Sequence, residues 1–265
     1  MDNMLSLGRK YDVTSAMLKW VALITMLIDH VGAVILEWML LYHSFKDTAM
    51  WDVVYRIDRV MRGIGRASFP LIIVLLVEGF FYTYDRIRYL IRMLVFLIIS
   101  EVPFDMALSA MVKDRHQAYL SFAYQNVLFT LVIGFGAMLI MEYIYTTPML
   151  QYKKAALMVL TALIALAGAY VLRTDYNAWG VLAILAAYFA KKRGTSPFWI
   201  GLSAIVILTM MNGSEAWAAV IDLPLLLCYH GTKGRRGSKW FYYIFYPAHL
   251  ILLYLIRVAV FGSGG

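Results

Sequence analysis

The chain has 265 residues, of which 62% are hydrophobic and 15% charged, and its mean hydropathy is +0.71. These values exclude an ordinary soluble domain, which is about 45–50% apolar and about 25% charged. The single cysteine, Cys228, excludes an intramolecular disulfide framework and a cysteine-based metal cluster, and the net charge of +8 is explained by loop lysines and arginines of a membrane protein. We therefore expect a lipid bilayer as the surroundings, no nucleic-acid partner and no metal.

Nine apolar segments follow one another along the chain, and none shows the alternation of a barrel strand. The sequence predicts an all-α, polytopic membrane bundle of about nine transmembrane helices, at residues 17–41, 63–83, 88–109, 123–145, 154–172, 177–191, 197–212, 215–230 and 240–261. The sixth to eighth segments are short for a complete crossing, which leaves eight to ten crossings open. No internal repeat is visible, so residues 1–261 are expected to form one domain, and residues 262–265 are typical of an added flexible linker.

Lysine and arginine alternate in density between successive loops. If the N-terminus is cytoplasmic, the inner loops carry the larger share, including Arg86, Arg88, Lys153, Lys154 and the run at 191–193. This pattern predicts a multi-pass protein of the cell membrane with a cytoplasmic N-terminus. On the outer side, residues 41–61 are expected to contain an amphipathic interfacial helix.

The first apolar segment, LKWVALITMLIDHVGAVILEW, carries an ionisable pair, Asp29 and His30. A rise of about 1.5 Å per residue places the pair about 18 Å along the helix, just past the middle of a hydrocarbon core about 30 Å thick. Ionisable residues at that depth usually face a protein interior or a wet cavity and mark a pathway or a reaction centre. His30 is the candidate base, because histidine transfers protons near neutral pH and a carboxylate can orient it.

The predicted orientation brings polar residues of the first four segments to the same outer level, with residues of the last segment slightly deeper. They are Arg62 and Arg66, spaced i, i+4 in the second segment, Glu101 and Asp105, spaced i, i+4 around Pro103 in the third, Gln125 and Asn126 at the start of the fourth, and Tyr246 and His249 in the last. Glu78 is expected near the inner end of the second segment.

Plain structural roles stay open for these residues. Arg62 can anchor a helix at the interface, Arg66 can form an ion pair with Glu101 or Asp105, and a lone histidine is more often a hydrogen-bonded core residue. Adjacent helix positions point about 100° apart, so Asp29 can serve a neighbouring group instead of His30.

Five pieces of the sequence, taken in order, resemble the TraX family, which is named for a protein linked to N-terminal acetylation of conjugative pilin. They are LKWVALITMLIDHVGAV, RGIGRASFPLIIVLLVEGFFYT, SEVPFD, YQNVLFTL and FYYIFYPAHLILLYL, and they span residues 18–255. TraX proteins are similar in turn to a wider group of transmembrane acyltransferases, which includes sugar O-acetyltransferases and the lysosomal heparan glucosaminide N-acetyltransferase.

The resemblance implies an acetyl-CoA-dependent acyltransferase of the bacterial inner membrane, with an early-helix histidine as the central catalytic residue. That histidine corresponds to His30, the following arginines to Arg62 and Arg66, and the tyrosine-proline-histidine piece to Tyr246, Pro247 and His249. The implied partners are a CoA thioester and an acceptor peptide or glycan, with an amine or a hydroxyl as the accepting group. An oligomer stays open.

Acetyl transfer needs a base or a transiently acetylated nucleophile, and a donor at the carbonyl oxygen. We expect His30 to be the base or the carrier, and Asp29, Glu101 or Asp105 to orient it. Arg62, Arg66 or Asn126 would bind the oxyanion or position the donor, and basic inner loops such as Arg86 and Arg88 would hold the CoA phosphates.

Only the long, thin pantetheine arm of CoA would then reach His30, which predicts a tunnel. Glu78, Tyr246 and His249 are further candidates for contact with the donor. The rival hypothesis is a proton-coupled carrier that uses the same buried His, Asp, Arg and Glu residues.

Overall fold

The structure is a computed structural model that describes residues 12–42, 48–108, 124–213, 216–234 and 239–262. Within these ranges the chain is helical, and the only strand-like features are two isolated bridges, Val13 with Tyr229 and Gln125 with Thr174. The helices are α1 (Ser15–Val31) with a π-helical turn (Gly32–Leu36), α2 (Glu37–Tyr42), α3 (Ala49–Gly65), α4 (Ser68–Tyr82), α5 (Arg86–Leu108), α6 (Val127–Thr146), α7 (Gln151–Val171), α8 (Asn177–Lys192), α9 (Pro197–Asn212), α10 (Ala216–Leu227) and α11 (Lys239–Phe261).

Local sequence signals explain several helix boundaries. Thr14 caps α1 by accepting a hydrogen bond from the amide of Met17, and Asn126 caps α6 in the same way. Pro197 is the first residue of α9, where its missing N–H costs nothing, and α9 ends at Gly213 with a φ of 79°, a conformation that favours glycine. The membrane-embedded helices therefore begin and end where short polar residues, proline and glycine allow it.

Helix α4 is the central element of the bundle. It contacts α1, α6, α8, α9 and α10, and most of its residues between Ser68 and Phe80 are buried. By contrast, only Ala165 and Ala169 of α7 are buried, while its leucines and valines face outward. A helix that is apolar on all sides and exposed is suited to contact lipid, so α7 lies at the periphery.

Each of the nine predicted segments coincides with a helix or a continuous helical stretch, which confirms the all-α membrane bundle. Five stretches are long and apolar enough to cross a bilayer: Ser15–Leu41, Ala49–Tyr82, Val127–Thr146, Gln151–Val171 and Trp240–Phe261. The chain is thus a multi-pass membrane protein. Residues 1–11, 43–47, 109–123, 214–215, 235–238 and 263–265, which the sequence predictions include, lie outside the described residues.

The second predicted segment begins later than expected. Residue 63 belongs to α3, and α4 begins at Ser68, five residues further on. Between the two helices the chain forms a tighter, 3₁₀-like turn, in which the backbone amides of Arg66 and Ala67 donate to carbonyls three residues back. Pro70 has no backbone N–H and so cannot continue the α-helical hydrogen bonding through this turn. Arg62 and Arg66 therefore lie at the end of α3, and the helix expected within residues 41–61 is α3 itself.

The helices define two ends of the bundle. We call the end at which α1 and α5 begin, and at which α4, α6 and α8 finish, the mouth end. Here the segment 228–234 bonds to residues 13–15, because Val13 N donates to Cys228 O (3.1 Å) and Ser15 N donates to Thr232 O (2.8 Å). We call the opposite end, at which α4, α6 and α8 begin and α5 finishes, the far end.

Candidate functional site

Two buried histidines from opposite ends of the chain meet inside the bundle. Nδ1 of His30 on α1 lies 2.7 Å from Nε2 of His249 on α11, and the two rings stack with centroids 4.9 Å apart. The exposed fractions are 8% for His30 and 5% for His249. We call this pair the histidine dyad.

A backbone carbonyl fixes the protonation pattern of the dyad. Nδ1 of His249 lies 2.7 Å from the carbonyl oxygen of Phe245, which can only accept, so this nitrogen carries a hydrogen. In neutral His249, Nε2 is then a lone-pair nitrogen and accepts from Nδ1–H of His30. The remaining nitrogen of His30, Nε2, carries its lone pair and is the basic atom of the dyad.

A cavity of about 510 Å³ runs into the bundle from the mouth end. Its volume is within the range of about 300–1,000 Å³ that is typical of small-molecule and cofactor sites. Three basic side chains belong to its lining, Lys19, Arg92 and Lys233, whereas the deeper wall is apolar and includes Met26, Met93, Val127, Leu128 and Leu131. The cavity is therefore basic at its entrance and apolar inside.

The cavity leads to the dyad along two helices. On α1, Lys19, Leu23 and Met26 line it, and His30 is the next residue on the same helical face, about 16 Å from Lys19. On α11, Tyr242 and Tyr246 line it, and His249 follows on the same face. The ring centroid of Tyr246 lies 6.2 Å from that of His30 and 5.7 Å from that of His249. Tyr246 therefore stands between the cavity and the dyad.

Glu78 lines the cavity near the mouth end, where it is held by two neighbours. Lys191 Nζ donates to its Oε1 at 3.2 Å, and the hydroxyl of Tyr229 donates to its Oε2. These bonds tie α4 to α8 and to the segment 228–234. A similar pair, Lys192 Nζ with Glu142 Oε2 at 2.5 Å, joins α8 to α6.

The two predicted phosphate-binding arginines of the first inner loop have partners in the protein. Arg86 Nε donates to the Phe80 carbonyl at 2.9 Å and its guanidinium lies 4.3 Å from the Phe80 ring centroid, while Arg88 Nε pairs with Asp85 at 2.8 Å on the surface. Neither residue lines the cavity. The basic residues that do line it, Lys19, Arg92 and Lys233, were not singled out from the sequence as donor contacts.

Asp29 points away from the dyad into an ionic cluster between α1, α2 and α3. Arg62 Nη1 lies 2.7 Å from Asp29 Oδ2, and Arg62 Nε lies 3.3 Å from Glu37. Arg59 pairs with Glu37 at 3.4 Å and with Asp58. The helices approach closely here, because a Cβ on Gly65 would lie 2.3 Å from atoms of Asp29. We call Asp29, Glu37, Asp58, Arg59 and Arg62 the far-end cluster.

The partner of His30 is therefore a histidine and not one of the expected carboxylates. Glu101 instead accepts a hydrogen bond from the side-chain amide nitrogen of Asn126 and lies 3.4 Å from the backbone nitrogen of the same residue. The side-chain amide nitrogen of Asn126 also donates to the Leu97 carbonyl at 3.2 Å. Asp105 is half-buried one turn further along α5. Gln125 is buried, and its backbone amide donates to the Arg173 carbonyl at 3.1 Å.

Arg66 lies in the electrostatic neighbourhood of a buried carboxylate that the sequence did not single out, Asp175 in the connection between α7 and α8. The hydroxyl of Tyr124 donates to Asp175 Oδ1 at 2.7 Å. Burial raises the pKa of Asp175, and the Tyr124 hydrogen bond and the positive charges of Arg66 and Arg62 oppose that rise. No periodic or charge pattern marks Asp175, because it lies in a short loop that is buried only by tertiary packing.

Comparison with known proteins agrees with the resemblance in the sequence. A profile described as TraX protein matches residues 14–257. A curated relative, "Probable fimbrial assembly protein FimC, serogroup H1" of Dichelobacter nodosus, is 29% identical over 267 residues, which cover 93% of this chain and 97% of the relative. No solved structure matches the chain. The profile covers the far greater part of the sequence, and the chain therefore belongs to the TraX family.

Proposed function

We propose that the chain is a membrane-embedded acetyltransferase that takes its acetyl group from acetyl-CoA and uses His30 as the general base. One observation carries the proposal: a cavity that is basic at its entrance reaches Tyr246, whose ring centroid lies 6.2 Å from that of His30, and His30 belongs to a buried histidine dyad in which its Nε2 carries a free lone pair. A basic entrance suits the phosphates of CoA, and a narrow apolar interior suits a pantetheine arm. Membership of the TraX family, which is linked to pilin acetylation, is compatible with this activity.

The lining of the cavity supports donor contacts at other residues than those predicted from the sequence. Lys19, Arg92 and Lys233 would bind the phosphates, since they line the cavity and Arg86 and Arg88 do not. With the mouth end in the cytoplasm, as the distribution of lysine and arginine predicts, the donor enters from the side where CoA is made.

The dyad can take up and return the proton that acetyl transfer moves. The acceptor nitrogen or oxygen attacks the thioester carbon and forms the new C–N or C–O bond, while its proton passes to Nε2 of His30. Collapse of the tetrahedral intermediate breaks the C–S bond, and His30 returns the proton to the leaving thiolate. Throughout, Nδ1–H of His30 stays bonded to His249, which orients the ring, as the third member of a triad does.

A fimbrial or pilin subunit is the acceptor that we propose. The support is the family's link to pilin and the name of the Dichelobacter nodosus relative as a fimbrial assembly protein. A sugar hydroxyl or amine is the alternative acceptor.

Replacement of His30 tests the enzyme activity. Loss of a general base typically costs about 10²- to 10⁴-fold in rate, so His30→Ala should lower acetyl transfer at least about 100-fold while CoA binding in detergent persists. His230→Ala is the matched control, because it removes an exposed imidazole that pairs with Asp12 at the surface.

The proposal fails if the wild-type protein neither binds nor hydrolyses acetyl-CoA and His30→Ala changes nothing in an acetylation assay with the fimbrial subunit. Solute uptake into proteoliposomes that is lost in His30→Ala, without acetyl transfer in the wild type, would favour the carrier instead.

A further inference from the structure

Acyl transfer places negative charge on the carbonyl oxygen of the thioester, and the arginines are poorly placed to bind it. Arg62 is engaged by Asp29 and Glu37 in the far-end cluster, and neither Arg62 nor Arg66 lines the cavity. A thioester that enters through the cavity therefore needs another donor beside the dyad.

Tyr246 has the only side-chain hydroxyl that both lines the cavity and lies beside the dyad among the described residues. The residue is 6% exposed, and no described residue accepts a hydrogen bond from its hydroxyl. A buried hydroxyl without an acceptor is costly, so an unused donor at this place indicates a ligand that completes it.

The amino end of α6 stands directly behind this hydroxyl. Val127 is the first residue of this 20-residue helix and lines the cavity together with Tyr246, and its backbone amide lies close to the Tyr246 hydroxyl oxygen without forming a hydrogen bond to it. The next two amides are already used, because Leu128 N donates to Asn126 Oδ1 at 2.9 Å and Phe129 N to Asn126 O at 3.1 Å. The Val127 amide and the partial positive charge of the helix end thus polarise the tyrosine O–H.

We propose that the hydroxyl of Tyr246, backed by the amide of Val127 at the amino end of α6, donates the hydrogen bond to the carbonyl oxygen of the thioester. The inference rests on the proposed acetyltransferase function and assigns its oxyanion site. When the acceptor attacks, the carbonyl π electrons move to the oxygen and the Tyr246 hydrogen bond strengthens. When the C–S bond breaks, the double bond forms again and the hydrogen bond relaxes.

Asn126 and Glu101 are positioning residues for this oxyanion site. Asn126 caps α6 through its Oδ1, and its amide nitrogen is fixed by Glu101 and by the carbonyl of Leu97. They set where the first turn of α6, and with it the Val127 amide, lies relative to Tyr246. This role gives a reason for the pairing of a fully buried Asn126 with a half-buried Glu101, neither of which lines the cavity.

The hydrogen bond can be measured without turnover. A dethia analogue of acetyl-CoA, in which CH₂ replaces the thioester sulfur, carries a ketone at the position of the reactive carbonyl and cannot transfer its acetyl group. With ¹³C at the ketone, hydrogen bonding from Tyr246 should move the carbonyl resonance of the bound analogue downfield. Tyr246→Phe keeps the ring and should lose this displacement, whereas Tyr254→Phe, two turns further along the same helix, should retain it.

In turnover, Tyr246→Phe should lower kcat about 100-fold, the size of effect expected from an oxyanion donor, and leave the Kd of CoA within about twofold. A bound analogue with the same carbonyl resonance in Tyr246→Phe and wild type overturns the assignment of Tyr246 and leaves the acetyltransferase untouched. Failure of the wild type to bind either CoA or the analogue overturns both.

Discussion

The hydrogen bond from His249 to the Phe245 carbonyl determines which ring nitrogen of His30 is free to accept a proton. The carbonyl belongs to the same turn of α11, so the orientation of His249 is fixed by its own helix. His30 then has one nitrogen bound and one free, which is the arrangement that a base oriented by a third group requires. Without His249, the imidazole of His30 would be free to rotate and to exchange its two nitrogens.

His249 should therefore act through His30, and its replacements can show this. His249→Gln retains an oxygen that accepts from Nδ1–H of His30, whereas His249→Ala does not. We expect acetyl transfer to fall at least tenfold in His249→Ala, about the lower limit for a lost contribution to acid–base catalysis, and to recover in part in His249→Gln, with the Kd of CoA unchanged in both. Equal activity in the two variants would argue against the hydrogen bond as the source of the effect.

At this scale the sequence marks His30 as a candidate, whose role stays a prediction, but it does not identify the residue that bonds to it. An ionisable residue deep in an apolar segment is informative by itself, because burial of charge in lipid is costly. The partner lies 219 residues away, and the contact depends on the packing of α1 against α11, which no local pattern records. The adjacent Asp29 was an expected partner by proximity, yet the helix turns it toward Arg62.

At the scale of helices, close packing of α1 against α3 positions the dyad relative to the far-end cluster. The lack of a side chain at Gly65 allows the two helices to approach, since any Cβ there would overlap Asp29. A Cβ on Gly32 would likewise lie only 3.2 Å from Asp58 Oδ1. The short distance between these helices brings Arg62 to Asp29 and leaves His30, the next residue, facing the interior.

Two glycine replacements test this packing. Gly65→Ala should force the helices apart and destabilise the protein by about 1–3 kcal/mol, the usual cost of overpacking. Gly136→Ala on α6 has open space around the new methyl group and should be neutral or slightly stabilising, because alanine favours helix. Thermal unfolding in detergent should show a lowered Tm for the first variant alone. A Tm in Gly65→Ala equal to the wild type would contradict the close contact.

Hydropathy predicted these helices well because each must satisfy its own backbone hydrogen bonds within lipid. It located the start of the second segment less well, since the sequence between Arg62 and Pro70 stays compatible with a helix. The break at residues 66–67 arises from the tightened turn before Pro70. Mean hydropathy over a window of residues does not detect a turn of this length.

At the scale of the whole molecule, five helices converge on the cavity: α1, α4, α5, α6 and α11. The sequence predicted a tunnel from the need of a long donor to reach His30, but it placed the donor contacts on loops with many charges. Lys19 and Arg92 lie inside helices, where they look like ordinary end-anchors, and only the assembled bundle shows that they share an entrance with Lys233.

If this cavity carries the CoA donor to the histidine dyad, a structure determined with CoA bound should show it. We expect density for the nucleotide beside Lys19, Arg92 and Lys233, and a pantetheine arm that runs past Met26 to Tyr246 with its thiol beside His30. An empty cavity at saturating CoA, or CoA bound elsewhere on the bundle, would contradict it.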